Sequence, residues 1–156
     1  MVVFPHCKIN LGLQIISKRD DGYHTINTCF FPIPWTDILE IIKADKFLFS
    51  NSGLEIPGNK EHNLCIKAFQ LLQREYDLAP VQMHLHKVIP MGAGLGGGSS
   101  DAAFALRTLN SIFNLELSTQ QLRSYASKLG SDCSFFVADK PMIGSGRGEI
   151  LSEVSV

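Results

Sequence analysis

The chain has 156 residues, 45% of them hydrophobic and 19% charged, which fits one globular domain with a sizeable core better than a disordered or fibrous chain. Fourteen basic residues against fifteen acidic ones give a formal net charge of -1, so any polyanion must be held by local geometry, and neither nucleic-acid nor membrane partners are expected. Apolar runs fall short of the roughly 20 residues of a membrane-spanning helix, and residues 1–5 lack the basic flank of a signal peptide, so a cytoplasmic protein is expected. Four cysteines, at positions 7, 29, 65 and 133, are too few for a disulfide scaffold and none has C-x-x-C spacing, which predicts reduced thiols.

From Lys8 to Ile16 apolar residues alternate at Ile9, Leu11, Leu13 and Ile15, predicting a strand with those four in the core and Lys8, Asn10 and Gln14 on the opposite face. Asp20, Asp21 and Gly22 signal a turn, and Ile26 to Ile33 reads as the returning strand of a hairpin. Ile38 to Ile42 and Lys46 to Phe49 are two more predicted strands, followed by a loop through Gly58. Asn63 is a suitable N-cap for a helix through about Glu75. Val81, Met83 and Leu85 alternate as a strand that stops at Pro90; His84 and His86 share its other face, where they read as half-exposed polar residues and not as a zinc site. Ala102, Leu106, Leu109 and Phe113 mark a helix, and Ser118 with Gln121 forms a capping box for another that ends at Gly130. This order predicts an α+β or α/β fold, antiparallel in its first half. Ile150, Leu151, Val154 and Val156 keep apolar weight at the end, as expected of a piece of something longer.

The segment Pro90 to Ala103, PMGAGLGGGSSDAA, joins a strand to a helix through five glycines and two serines. Glycines let amides approach a ligand with no Cβ in the way, and a helix N-terminus adds unpaired N–H groups and a favourable dipole. The product is an anion cradle suited to phosphate. The lysine of a P-loop is missing before Ser99 and Ser100. Gly92, Gly94 and Gly97 match the dinucleotide fingerprint formally, but residues 115–117 leave no room for the second strand that fingerprint requires.

This loop resembles the phosphate loop of the GHMP small-molecule kinases. Lys8-Ile9-Asn10-Leu11, the Asp21-Gly22-Tyr23-His24 turn and Gly130-Ser131-Asp132-Cys133-Ser134 extend the likeness over nearly the whole chain. They narrow it to the members that phosphorylate the 2-hydroxyl of a cytidine-diphosphate-linked polyol in the non-mevalonate isoprenoid pathway. The resemblance implies an α+β domain, a mixed sheet backed by helices. It also implies that residues 1–156 are the ATP- and substrate-binding N-terminal domain, with the C-terminal domain absent or truncated.

By the same resemblance, Lys8 and Asp132 are catalytic: Asp132 accepts or orients the hydroxyl proton, and Lys8 steadies that carboxylate. Pro90, Gly92, Gly94, Gly96, Gly97, Gly98, Ser99 and Ser100 wrap the phosphates of ATP, with Asn63 and Lys87 near the adenine and Mg²⁺ bridging phosphate oxygens without an identified acidic ligand. Tyr23, His24 and Phe30 flank the cytidine, and Asn10 bonds the polyol or phosphate region. Read alone, Lys8 is a strand lysine, Asp132 a turn residue, Asn63 a helix cap, Lys87 a strand-end charge and Phe30 a core residue. Two other readings stay open: a kinase of the same family acting on a different alcohol, and a noncatalytic nucleotide-binding module.

Overall fold

The computed structural model describes residues 1–154; Val156 lies outside them. The chain runs β1 (Val2–Val3), β2 (His6–Lys18), β3 (His24–Thr36), β4 (Ile38–Lys43), β5 (Leu48–Gly53), a 3-10 turn (Lys60–His62), α1 (Leu64–Tyr76), β6 (Val81–Lys87), α2 (Gly97–Phe113), α3 (Thr119–Leu129), α4 (Cys133–Ala138), β7 (Met142–Gly146) and β8 (Ile150–Glu153). The α+β expectation holds, and the strands form two four-stranded sheets: the mixed sheet β1-β4-β6-β5, in which β5 lies parallel to β6, and the antiparallel β2-β3-β7-β8.

The predicted alternation holds on β6: Val81, Met83 and Leu85 are buried and join Leu39 and Ile41 of β4 under α1 and α2. His84 and His86 lie on the outer face, hydrogen-bonded to Ser50 and Ser52. Asn63 caps α1, its side-chain oxygen accepting the Cys65 amide at 2.9 Å, and the Ser118–Gln121 capping box opens α3. The consecutive small residues Ala102 and Ala103, with Ala105, are fully buried and let α2 approach its neighbours closely. Phe30 and Met142 of the second sheet join the same core through Phe135 and Phe136 of α4.

The long hairpin departs from its predicted faces. Leu11, Leu13 and Ile15 are exposed, at 51%, 56% and 61%, whereas Lys8 is buried. Only the first turn-length of β2 crosses the core; the rest pairs with β3 alone, and a register shift between Leu11 and Leu13, at Gly12 with its φ of 70°, changes the side-chain parity.

One residue, Asp37, separates β3 from β4 where the chain passes from one sheet to the other. Its buried carboxylate accepts the Val88 and Ile89 amides at 2.6 and 2.8 Å and the Lys87 ammonium at 2.5 Å. Lys87 also reaches Asp101 of α2 at 2.7 Å, completing a buried Asp37–Lys87–Asp101 triad. Burial by itself would lower the lysine's pKa, yet the two carboxylates raise it above the ordinary lysine value. Burial pushes the Asp101 carboxyl up to about 7, Lys87 opposing and Asp37 reinforcing the shift.

Between the ordinary carboxyl value of 3.8 and about 7, folded Asp101 keeps a proton that the unfolded chain has released. Its contribution to stability is therefore most favourable in acid and is lost as pH rises through that interval. Urea midpoints measured from about pH 4 to pH 8 should fall with rising pH in the wild type relative to Asp101→Asn; parallel profiles would show that Asp101 is ionised throughout.

Candidate active site

The loop after β6 is shaped by alternating backbone handedness. Gly92, Gly94 and Gly96 have φ of 73°, 74° and 70°, while Ala93 and Leu95 between them stay out of the positive-φ region. Such alternation turns successive amides toward one concave side, the arrangement that receives anions. Gly96 is also the N-cap of the 17-residue α2, so the helix dipole points its positive end at the same place. A groove of about 280 Å³ runs along Pro90 to Ser99. It shares Leu64, Met91 and Gly98 with a cavity of about 330 Å³ that Phe49, Asn51, Pro57 and Asn63 also line. A phosphate-sized groove opening into a largely apolar chamber suits a purine nucleotide laid along the start of α2.

At the other end of the groove, the Lys8 amide donates to the Leu95 carbonyl at 2.9 Å, tying β2 to the loop. The Lys8 ammonium lies 2.6 Å from Asn10 Oδ1, 3.7 Å from Asp132 and 5.0 Å from the centre of the Phe30 ring. Asn10 is itself oriented by donating to Thr28 Oγ1, which donates to the Gly12 carbonyl. Lys8 thus approaches its partners from a buried stem, while Asp132 keeps 29% of its side chain exposed. A positioned carboxylate open to the cleft and a cation held beside it can orient a hydroxyl and offset negative charge.

The expected residues therefore separate into several groups. Lys8, Asn10 and Asp132 meet, and Gly96 joins the glycine loop to them: a Cβ there would fall 3.4 Å from Lys8 Cε and 2.8 Å from Phe136 Cζ. Asn63 keeps its capping bond while lining the apolar chamber. Tyr23 and His24 stand exposed at the hairpin tip, and the Tyr23 ring is covered by the Arg147 guanidinium, 5.1 Å from its centre.

Three residues are placed differently from expectation. Phe30 is 2% exposed, packed on Phe135 with Gly144 and Gly148 pressed against its ring, so it supports Lys8 from beneath and offers no face to a base. Lys87 is wholly buried between two carboxylates; a Cβ on Gly97 would lie 2.9 Å from its Nζ, so it sits under the start of α2 and not beside an adenine. Ser100 is fully buried, its hydroxyl turned into the protein, which leaves Ser99 as the loop's accessible hydroxyl. Asp37 and Asp101, which position the loop, went unrecognised in the sequence. The available signal was a carboxylate on the same helical face as Ala105 and Thr108, a place that demands a buried partner. Among the described residues, no group of three or more His, Cys, Asp or Glu side chains could hold a metal, and no helix is long and apolar enough to cross a membrane. All four cysteines are free thiols.

Comparison with known proteins bears on this geometry. The profile of the GHMP kinases N terminal domain matches residues 63–140. The chain is 51% identical over its whole length to the 4-diphosphocytidyl-2-C-methyl-D-erythritol kinase of Cytophaga hutchinsonii and 52% identical to that of Bacteroides fragilis. It spans 58% of the length of each. A crystal structure of 4-(cytidine 5'-diphospho)-2C-methyl-D-erythritol kinase superposes with a TM-score of 0.86 at 34% identity, covering all of this chain and 56% of that one. The Methanococcus jannaschii mevalonate kinase, at 13% identity and a TM-score of 0.71, shares the fold, with all of this chain and 56% of that one covered.

The loop glycines should differ in their tolerance. At Gly94 an added Cβ meets open space, so Gly94→Ala should cost about 1–2 kcal/mol of left-handed strain. Gly96→Ala adds a collision with Phe136 to the same strain and should lower the melting temperature further and weaken ATP binding by calorimetry. Equal losses at the two positions would show that Phe136 and Lys8 yield freely.

Proposed function

We propose that this chain, which belongs to the GHMP kinase family through its N-terminal domain, binds the nucleotide and the acceptor in an ATP-dependent small-molecule kinase. The acceptor is the 2-hydroxyl of 4-diphosphocytidyl-2-C-methyl-D-erythritol, phosphorylated in non-mevalonate isoprenoid biosynthesis. The observation that carries this reading is the Lys8–Asp132 pair at the mouth of the glycine loop, on a chain about half identical to kinases named for that substrate. Residues 1–156 act as the N-terminal domain, and the rest of the relatives' length corresponds to a companion domain, so turnover belongs to the complete enzyme. The four free thiols suit a cytoplasmic setting.

ATP lies with its base in the chamber beside Asn63 and its phosphates along residues 92–99, where loop amides and the α2 dipole receive their charge. The acceptor enters from the hairpin side, with its cytosine near Tyr23 and His24. Asp132 holds the hydroxyl and takes its proton as the oxygen attacks the γ-phosphorus, the bond from that phosphorus to the β,γ-bridging oxygen breaks and ADP leaves, while Lys8, kept in place by Asn10, offsets negative charge between carboxylate and phosphoryl group. The described residues offer no carboxylate set for Mg²⁺; the triphosphate would carry the ion, Ser99 is the loop hydroxyl that could help hold it, and when bound it would neutralise phosphate charge.

In the complete enzyme, Asp132→Asn should lower kcat by about 10²- to 10⁴-fold while ATP binding, measured by calorimetry, is retained. Unchanged turnover would remove Asp132 from the chemistry. His24→Ala should raise KM for the cytidyl substrate and leave KM for ATP nearly constant; an equal loss for both would reduce His24 to a support of the hairpin.

A further inference from the structure

Between Asp132 and Tyr23 lies the turn that joins β7 to β8. It is tight, with the Gly148 amide donating to the Ser145 carbonyl at 3.0 Å and the Arg147 amide donating to Glu149 at 2.5 Å. At Gly148 it touches the reacting end of the cleft: a Cβ there would lie 3.7 Å from Asp132 Oδ1. One residue earlier, the Arg147 guanidinium covers the ring of Tyr23. A nucleoside held at Tyr23 and His24, with its linked alcohol at Asp132, must run its phosphates past this turn.

The cations nearby are not equally available. Lys8 is buried and engaged by Asn10 and Asp132. Arg19 donates through Nε to both carboxylate oxygens of Asp21, at 3.3 and 3.1 Å. The Arg147 side chain is 39% exposed, and its ion pair with Glu149 measures 3.8 Å, well beyond the roughly 2.7–2.9 Å of a charge-assisted hydrogen bond. Its planar fork matches phosphate oxygens, and it covers one face of an exposed ring on which a pyrimidine can stack.

We propose that Arg147 is an acceptor-binding residue that grips the diphosphate of the cytidyl alcohol, moving to it when the base displaces the guanidinium from Tyr23. The assignment rests on the functional reading above. It makes the turn a specificity element: acceptors carrying a nucleoside diphosphate gain the guanidinium, and uncharged nucleosides do not.

The test uses the complete enzyme with Arg147→Met and Arg147→Lys. Calorimetry with CDP and with cytidine should show a wild-type preference for CDP that Arg147→Met reduces about tenfold or more and Arg147→Lys reduces in part. KM for the cytidyl alcohol should rise in parallel, with KM for ATP unchanged. A CDP-to-cytidine preference that is the same in Arg147→Met and the wild type would overturn the assignment. Failure of the wild type to phosphorylate the cytidyl alcohol would instead overturn the functional reading, and the two calorimetric probes would still decide whether Arg147 holds a diphosphate.

Discussion

The buried ammonium of Lys87 is the point on which the two sheets, the glycine loop and the long helix α2 converge. Asp37 ties it to the crossover between the sheets and, by accepting hydrogen bonds from the Val88 and Ile89 amides, to the residues that lead into the loop; Asp101 ties it to the first turns of α2. Three ionisable groups out of water are costly, and removing one partner from such a group typically costs about 3–5 kcal/mol because a buried charge is left uncompensated. What the arrangement supplies is position. The last residue of β6 and the first turns of α2 are held to one atom, so the loop between them cannot drift from the groove it forms.

That anchoring explains why so flexible a composition makes an ordered cradle. Five glycines in a short segment would ordinarily sample many conformations, at a cost in backbone entropy on folding. Here both ends are clamped, the Leu95 carbonyl is bonded by the Lys8 amide, and Gly96 and Gly97 are packed so closely on Phe136, Lys8, Lys87 and Ile89 that a side chain would not fit. The same contacts bring Lys8 to the groove, which makes the glycine loop and the Lys8–Asp132 corner parts of one packed unit. On the far side of the cleft the β3–β7 ladder runs from Phe30↔Met142 to Ile26↔Gly146, and beyond it the hairpin tip and the β7–β8 turn meet where Arg147 lies on Tyr23.

Much of the architecture was legible in the order of residue types, and the exceptions are instructive. The caps at Asn63 and Ser118 and the alternation on β6 are local patterns whose partners lie within a few residues, and each appears as read. β2 exposes both faces beyond Asn10 because alternation specifies two faces and not whether either is covered; that depends on where the helical layer ends, and Gly12 adds a shift of register. The short α4 and the β7–β8 pair are not legible in the sequence because six-, five- and four-residue elements carry too little periodicity to stand out. Phe30 and Lys87 share a second kind of error, since a family motif marks which residues surround a ligand without distinguishing a side chain that faces it from one that supports it from below.

The chain's sequence by itself determined that a glycine-rich junction precedes a helix, which brings backbone amides and the positive end of a helix dipole to one place, because both are properties of the backbone. It also determined the family, through a loop and flanking motifs too specific to arise from packing alone. Only the tertiary structure decided that Lys8 and Asp132 meet, that Lys87 serves the core, and that Arg147 lies on Tyr23. Each of these is a contact between residues far apart in the chain, and a charge or ring takes its role from its surroundings, which no local pattern contains.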